Sequence, residues 1–275
     1  MHRAIGFFTR VLCAGVAATL LTAPPGVFAQ EKPTMEAARE AISTGNAPDL
    51  KALLKGGLDP NSLDKDGLSL VTYAVMDERD AMVELLLESG ANPNTDGGRS
   101  LALAALSDNL DVVKALIEKG AAVNARAGLY NSAPIHWACK NGNLEMLAFL
   151  MSRGALIDVL NSAGWTPLAT AATRNPDVVR FLLSKGAPVD QRDGFGFTPL
   201  MYAAKSGNAE MVEVFLNAGA NATLKAPGGE SAADLAVKSK SQETIKLLSP
   251  EKGTAPQQES GPAGTTAPPG PHTGK

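Results

Sequence analysis

The sequence predicts an all-α repeat solenoid: stacked helix-turn-helix units joined by β-turn or hairpin loops, about five full units between an N-terminal and a C-terminal capping unit. Three observations predict it. Alanines return at Ala41, Ala74, Ala105, Ala138, Ala171, Ala203 and Ala236, in steps of 31 to 33 residues. An apolar pair with a glycine shortly behind it trails the first six by 11 or 12 residues. These are Leu53-Leu54 with Gly57, Leu86-Leu87 with Gly90, Leu116-Ile117 with Gly120, Leu150-Met151 with Gly154, Leu182-Leu183 with Gly186, and Phe215-Leu216 with Gly219. A short turn motif precedes the alanines, clearest in Gly164-Trp165-Thr166-Pro167-Leu168 and Gly196-Phe197-Thr198-Pro199-Leu200, with weaker copies from Gly67, Gly98, Asn131 and Gly229.

Each element of a unit has its own physical reason. Thr166 and Thr198 are placed to cap a helix through their hydroxyls, and Pro167 and Pro199 sit at the first helical position, where a missing N–H costs nothing. A short first helix begins there. The second helix carries the apolar pair on one face, and the glycine behind it can take the left-handed conformation that ends helices. Asn61, Asn94, Asn124, Asp158 and Asp190 then start the turn into the next unit. Two short helices cannot bury an apolar face alone, so the core forms only between stacked neighbours. The unit at Gly98 has Leu101 where proline is usual, and the unit at Asn131 has Ala133 at the capping position, so both are expected to be locally less rigid.

Three segments divide the chain. Residues 1–29 read as an export signal: Arg3 and Arg10 give a positive start, Val11 to Thr22 is mostly apolar, and Val27-Phe28-Ala29 places small residues for cleavage after Ala29. The apolar run is shorter than the ~20 residues a spanning helix needs, so no membrane span is expected once the signal is removed. Residues 30–249 form the repeat domain. Residues 250–275, dominated by Pro, Gly, Thr, Ala and Gln, lack the apolar content to fold and read as a disordered tail.

The formal net charge is −3, and losing Arg3 and Arg10 with the signal makes it more negative, which argues against general nucleic-acid binding. Of the two cysteines, Cys13 leaves with the signal. Cys139 therefore has no intramolecular partner, and packing alone must hold the fold.

The spacing, turn residues and helix ends together resemble the ankyrin repeat over roughly Glu31 to Ser249. The resemblance implies a non-enzymatic protein-binding scaffold, whose partners contact the turn tips and the starts of the first helices along a concave face. The matching positions here include Arg99, Tyr130, Trp165, Phe195 and Phe197 at the tips, and Lys140, Arg174, Lys205 and Lys238 on the first helices. Large aromatics beside cations are typical anchors of interfaces. The expected partner is a protein with an acidic, partly apolar surface, met by a monomer. Tyr73, Trp137 and Tyr202 are expected to pack against neighbouring turns instead.

Catalytic ingredients are missing from this reading. His136, in Ala133-Pro134-Ile135-His136, resembles the family's structural histidine, which hydrogen-bonds between units. Cys139 occupies a small core position, and the Asp and Glu residues read as solvated helix faces. Gly194-Phe195-Gly196 is a turn tip and no phosphate loop. No catalytic residue, metal site or cofactor is expected. The sequence thus points to a periplasmic or secreted binding module of a bacterial cell, acting as scaffold or accessory factor. The alternative is a secreted effector that mimics ankyrin scaffolds in another cell.

Overall fold

The computed structural model describes residues 33–249; the expected signal and its cleavage site, and the expected tail, lie outside the described residues. Within them the helices come in seven pairs: α1 (Met35–Thr44) with α2 (Ala47–Lys55), α3 (Leu70–Met76) with α4 (Asp80–Glu88), α5 (Arg99–Leu106) with α6 (Leu110–Glu118), and α7 (Pro134–Asn141) with α8 (Leu144–Ser152). The last three are α9 (Pro167–Ala171) with α10 (Pro176–Ser184), α11 (Pro199–Ser206) with α12 (Ala209–Asn217), and α13 (Ala232–Ser239) with α14 (Gln242–Leu247). First helices pack on first helices of the next unit, as α3 on α5 and α5 on α7, while α10 packs on α12 and α12 on α14. This is the stacked solenoid the alanine period predicts, with seven units counting both ends. Hairpin loops are pinned by single antiparallel bridges between Leu63 and Ser69, Ala127 and Ser132, and Lys225 and Ser231.

The recurring alanines mark the tightest contacts. Ala74, Ala105, Ala138, Ala171, Ala203 and Ala236 are all 0% exposed, so each sits where a larger side chain would force neighbouring first helices apart. Leu50, Leu86, Leu116, Leu150, Leu182 and Phe215, from the second helices, fill the layer behind them at 0% exposure. Cys139 is likewise buried in that core, and burial pushes its thiol pKa far up.

Caps follow the sequence where it supplies them. Thr166 Oγ1 accepts from Ala169 N at 3.0 Å and Thr198 Oγ1 from Met201 N at 3.4 Å. Ser69 and Ser231 cap α3 and α13 in the same way. The two departing units lack this bond: α5 begins behind Gly98 at φ 77°, and α7 begins behind Ala133. The expectation that acidic residues serve only as solvated faces is corrected at the tips. Asp64 Oδ1 accepts from Asp66 N and Leu68 N, and Asp193 Oδ1 from Phe195 N and Phe197 N. Asn161 does the same for Ala163 N and Trp165 N. Each carboxylate or amide braces its own tip.

The asparagines between units also do more than begin turns. Asn94 donates to Gly120 O at 2.8 Å and accepts from Ala122 N at 2.8 Å, tying its unit to the next. Asn61 spans to Gly90 O and Asn92 N, Asn124 to Gly154 O and Leu156 N, and Asp190 accepts from Asn221 N. At Asp158 this ladder breaks. The residue facing it by register is Pro188, which has no N–H to donate.

Two stability outcomes are expected. Asn94→Ala should cost about 0.5–1.5 kcal/mol in denaturant unfolding, since it removes two bonds between units whose partners, Gly120 O and Ala122 N, stay open to water, while Asp158→Ala should change little. Ala133→Ser should raise stability by about 1 kcal/mol by giving His136 N a capping acceptor, seen as an upward shift of the thermal midpoint.

Candidate functional site

The tips of units four to six are joined by backbone. Ser162 N donates to Tyr130 O at 2.7 Å, and Gly194 N donates to Gly164 O at 3.0 Å. The second contact needs glycine at position 164: Gly164 has φ 76°, and a Cβ there would lie 2.3 Å from Gly194 Cα. The side chains carried on this ribbon are therefore held in place before any partner arrives.

Those side chains, with Tyr202 of α11, form a row of rings. Tyr130 and Trp165 have centroids 5.8 Å apart, Trp165 meets Tyr202 edge-on at 6.3 Å, and Tyr202 lies 5.6 Å from Phe197. Tyr130 is 48% exposed and Phe195, outside the row, is 57% exposed, whereas Trp165 and Phe197 are half-buried. The tip aromatics thus divide between packing and display. A cleft of about 60 Å³ opens beside Tyr130 and Trp165, over His136, Trp137, Lys140 and Thr170.

Tyr73, Trp137 and Tyr202 pack inward as expected. Trp137 is 4% exposed, and the Tyr73 and Tyr202 hydroxyls donate to Asp64 and Asp193. Burial, and then the Asp64 partner, push the Tyr73 pKa up to about 12, and the same two causes raise that of Tyr202.

The cations fall into three situations. Lys140 Nζ lies 4.9 Å from the Trp137 ring centroid and Lys205 Nζ 5.8 Å from that of Phe197. Arg174 and Arg99 are exposed, Arg174 on a turn one residue shorter than its counterpart in unit four and Arg99 at the start of α5. Lys238 is ion-paired with Glu230 of its own unit, so the basic ladder is effectively Lys140, Arg174 and Lys205. The paired Glu230 lies at the tip of unit seven, where sequence reading did not look for a partner.

His136 joins units four and five. Its Nε2 lies 3.0 Å from Trp165 O; a carbonyl only accepts, so Nε2 carries the proton. Its Nδ1 is buried with no partner among the described residues, in the unit whose capping hydroxyl Ala133 removes. Burial holds its pKa below the ordinary 6.5. Among the described residues no cluster of three or more His, Cys, Asp or Glu could hold a metal, and no helix is long and apolar enough to cross a membrane.

Profiles described as ankyrin repeats match residues 35–127, 128–193 and 182–236. The chain belongs to the ankyrin-repeat family. Ankyrin repeats are protein-interaction scaffolds, and this one superposes on solved examples. The human ASB11 ankyrin repeat domain matches at TM-score 0.66 and 31% identity, over 77% of this chain and 97% of that one. The ankyrin repeat domain of Bcl-3 matches at TM-score 0.65 and 25% identity over the same shares. Among curated proteins, a putative palmitoyltransferase ZDHHC13 of Danio rerio is 30% identical over 60% of this chain and 32% of its own length. Palmitoyltransferase ZDHHC17 of Homo sapiens is 31% identical over 59% of this chain and 32% of its own. The chain thus spans about a third of these relatives, and their named activity stays with them.

The ankyrin stack should respond to pH through His136. In the unfolded chain the imidazole protonates near 6.5, while the folded site resists. The unfolded state therefore binds more protons below 6.5, and stability falls as pH drops through that value toward the lower folded pKa. Unfolding free energies between about pH 7 and about pH 5.5 should slope by up to ~1.4 kcal/mol per unit, and His136→Gln should flatten that slope.

Proposed function

We propose that this ankyrin stack is a non-enzymatic scaffold or accessory factor, exported to the periplasm, that holds a protein partner on the concave face of units four to six. The ring row from Tyr130 to Phe197 carries this reading. It is an apolar strip on tips already fixed by backbone hydrogen bonds, flanked by Lys140, Arg174 and Lys205, which have no carboxylate partner among the described residues. Rigid aromatics beside unpaired cations bind at low ordering cost and favour an acidic, partly apolar surface. Export rests on the sequence of residues 1–29.

Trp165 packs against both neighbours, so truncating it would test folding as well as binding. Arg174 and Phe195 are exposed and serve better. Affinity purification with the full-length protein from its own cell envelope should retain a partner that Arg174→Ala combined with Phe195→Ala releases, with the thermal midpoint unchanged. Equal retention by the variant would remove this face from the function. N-terminal sequencing of the exported form should begin at Gln30.

A further inference from the structure

We infer that the face of units four to six reads an extended seven-residue segment, with carboxylates at its first and seventh positions and short apolar side chains at its third and fifth. This specifies the ligand of the protein-binding reading above and rests on it. Lys205 on α11 leans over Phe197 at one end of the row, and Lys140 on α7, over the inward-packed Trp137, lines the cleft beside Tyr130 at the other, with α9 between their helices. Packed helices lie ~8–10 Å apart, so two such steps put the ammonium groups about 16–20 Å from each other. An extended chain advances ~3.3 Å per residue and covers that span in about six steps.

Alternation then fixes the pattern. Residues one, three, five and seven of an extended chain face the same side. When the outer two meet Lys140 and Lys205, the inner two fall on Trp165, Tyr202 and Phe197. The cleft of about 60 Å³ beside Trp165 is smaller than the ~150 Å³ cavity that accepts benzene, so it suits a valine-sized group better than a ring. A helix would need about twelve residues for the same span.

Tryptophan fluorescence titrations of the full-length protein with synthetic peptides test this. The reference peptide is Glu-Ser-Val-Ser-Val-Ser-Glu. One control moves both valines to even positions, and another brings the glutamates four residues apart. The reference should bind at least about tenfold tighter than either control. Lys140→Gln and Lys205→Gln should each weaken it about two- to fivefold, with the effect shrinking at high salt. Circular dichroism checks that both variants stay folded. Equal binding of all three peptides, or tighter binding of a twelve-residue helical peptide with the same end charges, overturns the register. If no peptide binds while envelope capture still depends on Arg174 and Phe195, the register falls and the scaffold reading stands. If capture is also unaffected, both fall.

Discussion

Every feature of this protein depends on one constraint: a pair of short helices cannot bury its own apolar face. The recurring alanine in the second half of each first helix is the consequence at closest range, because only a methyl group lets successive first helices approach while the leucine layer closes behind them. Stability is then a sum of nearest-neighbour interfaces, and a change is felt mainly by the two units that share it. Among the described residues no disulfide adds to these interfaces, since Cys139 is a free, buried thiol.

The interfaces are unequal, and the inequality coincides with the candidate site. Asparagine bridges tie units two to three, three to four and four to five. The rung between units five and six is broken by Asp158 and Pro188. The same boundary has the sparsest packing between adjacent first helices, α9 against α11, and α9, at 5 residues, is the shortest α-helix among the described residues. Contact is restored at the tips by Gly194 against Gly164, and further in by Trp165 against Tyr202. Aromatic side chains thus compensate for thin helix contact there. That role and display to a partner are compatible, because Trp165 and Phe197 stay only half-buried and Tyr130 is 48% exposed while they pack.

Much of this was legible in the sequence. Helix pairs, caps and terminating glycines are local properties, and the spacing of Thr166, Pro167, Ala171 and Gly186 encodes them directly. Bonds between units are harder to read, since Asn94 meets Ala122 only after the stack has formed. One tip signal was available and overlooked: Asp64, Asn161 and Asp193 each stand three residues before the glycine that opens a motif copy, the arrangement of a side chain that bonds its own turn. The pairing of Lys238 with Glu230 had no comparable signal, because the position of Glu230 carries half-buried Trp165 and Phe197 in units five and six, and a carboxylate there breaks the pattern of those units.

The two halves of the face differ in how far their aromatic surface is already used. In unit two the ring of Tyr73 lies 4.0 Å beneath the Arg39 guanidinium, and its hydroxyl is held by Asp64. Ring face and polar tip are both satisfied within the chain. In units four to six the hydroxyl of Tyr202 is satisfied in the same manner, yet the row continues through Trp165 to the half-exposed Tyr130. The cations at its ends are single ammonium groups with no carboxylate among the described residues. A folded chain gains little by leaving apolar rings and unpaired cations side by side at its surface, because each could be covered or neutralised at small cost, as Lys238 is by Glu230. Their persistence together on tips joined by backbone hydrogen bonds favours a surface completed by another molecule over one completed by folding.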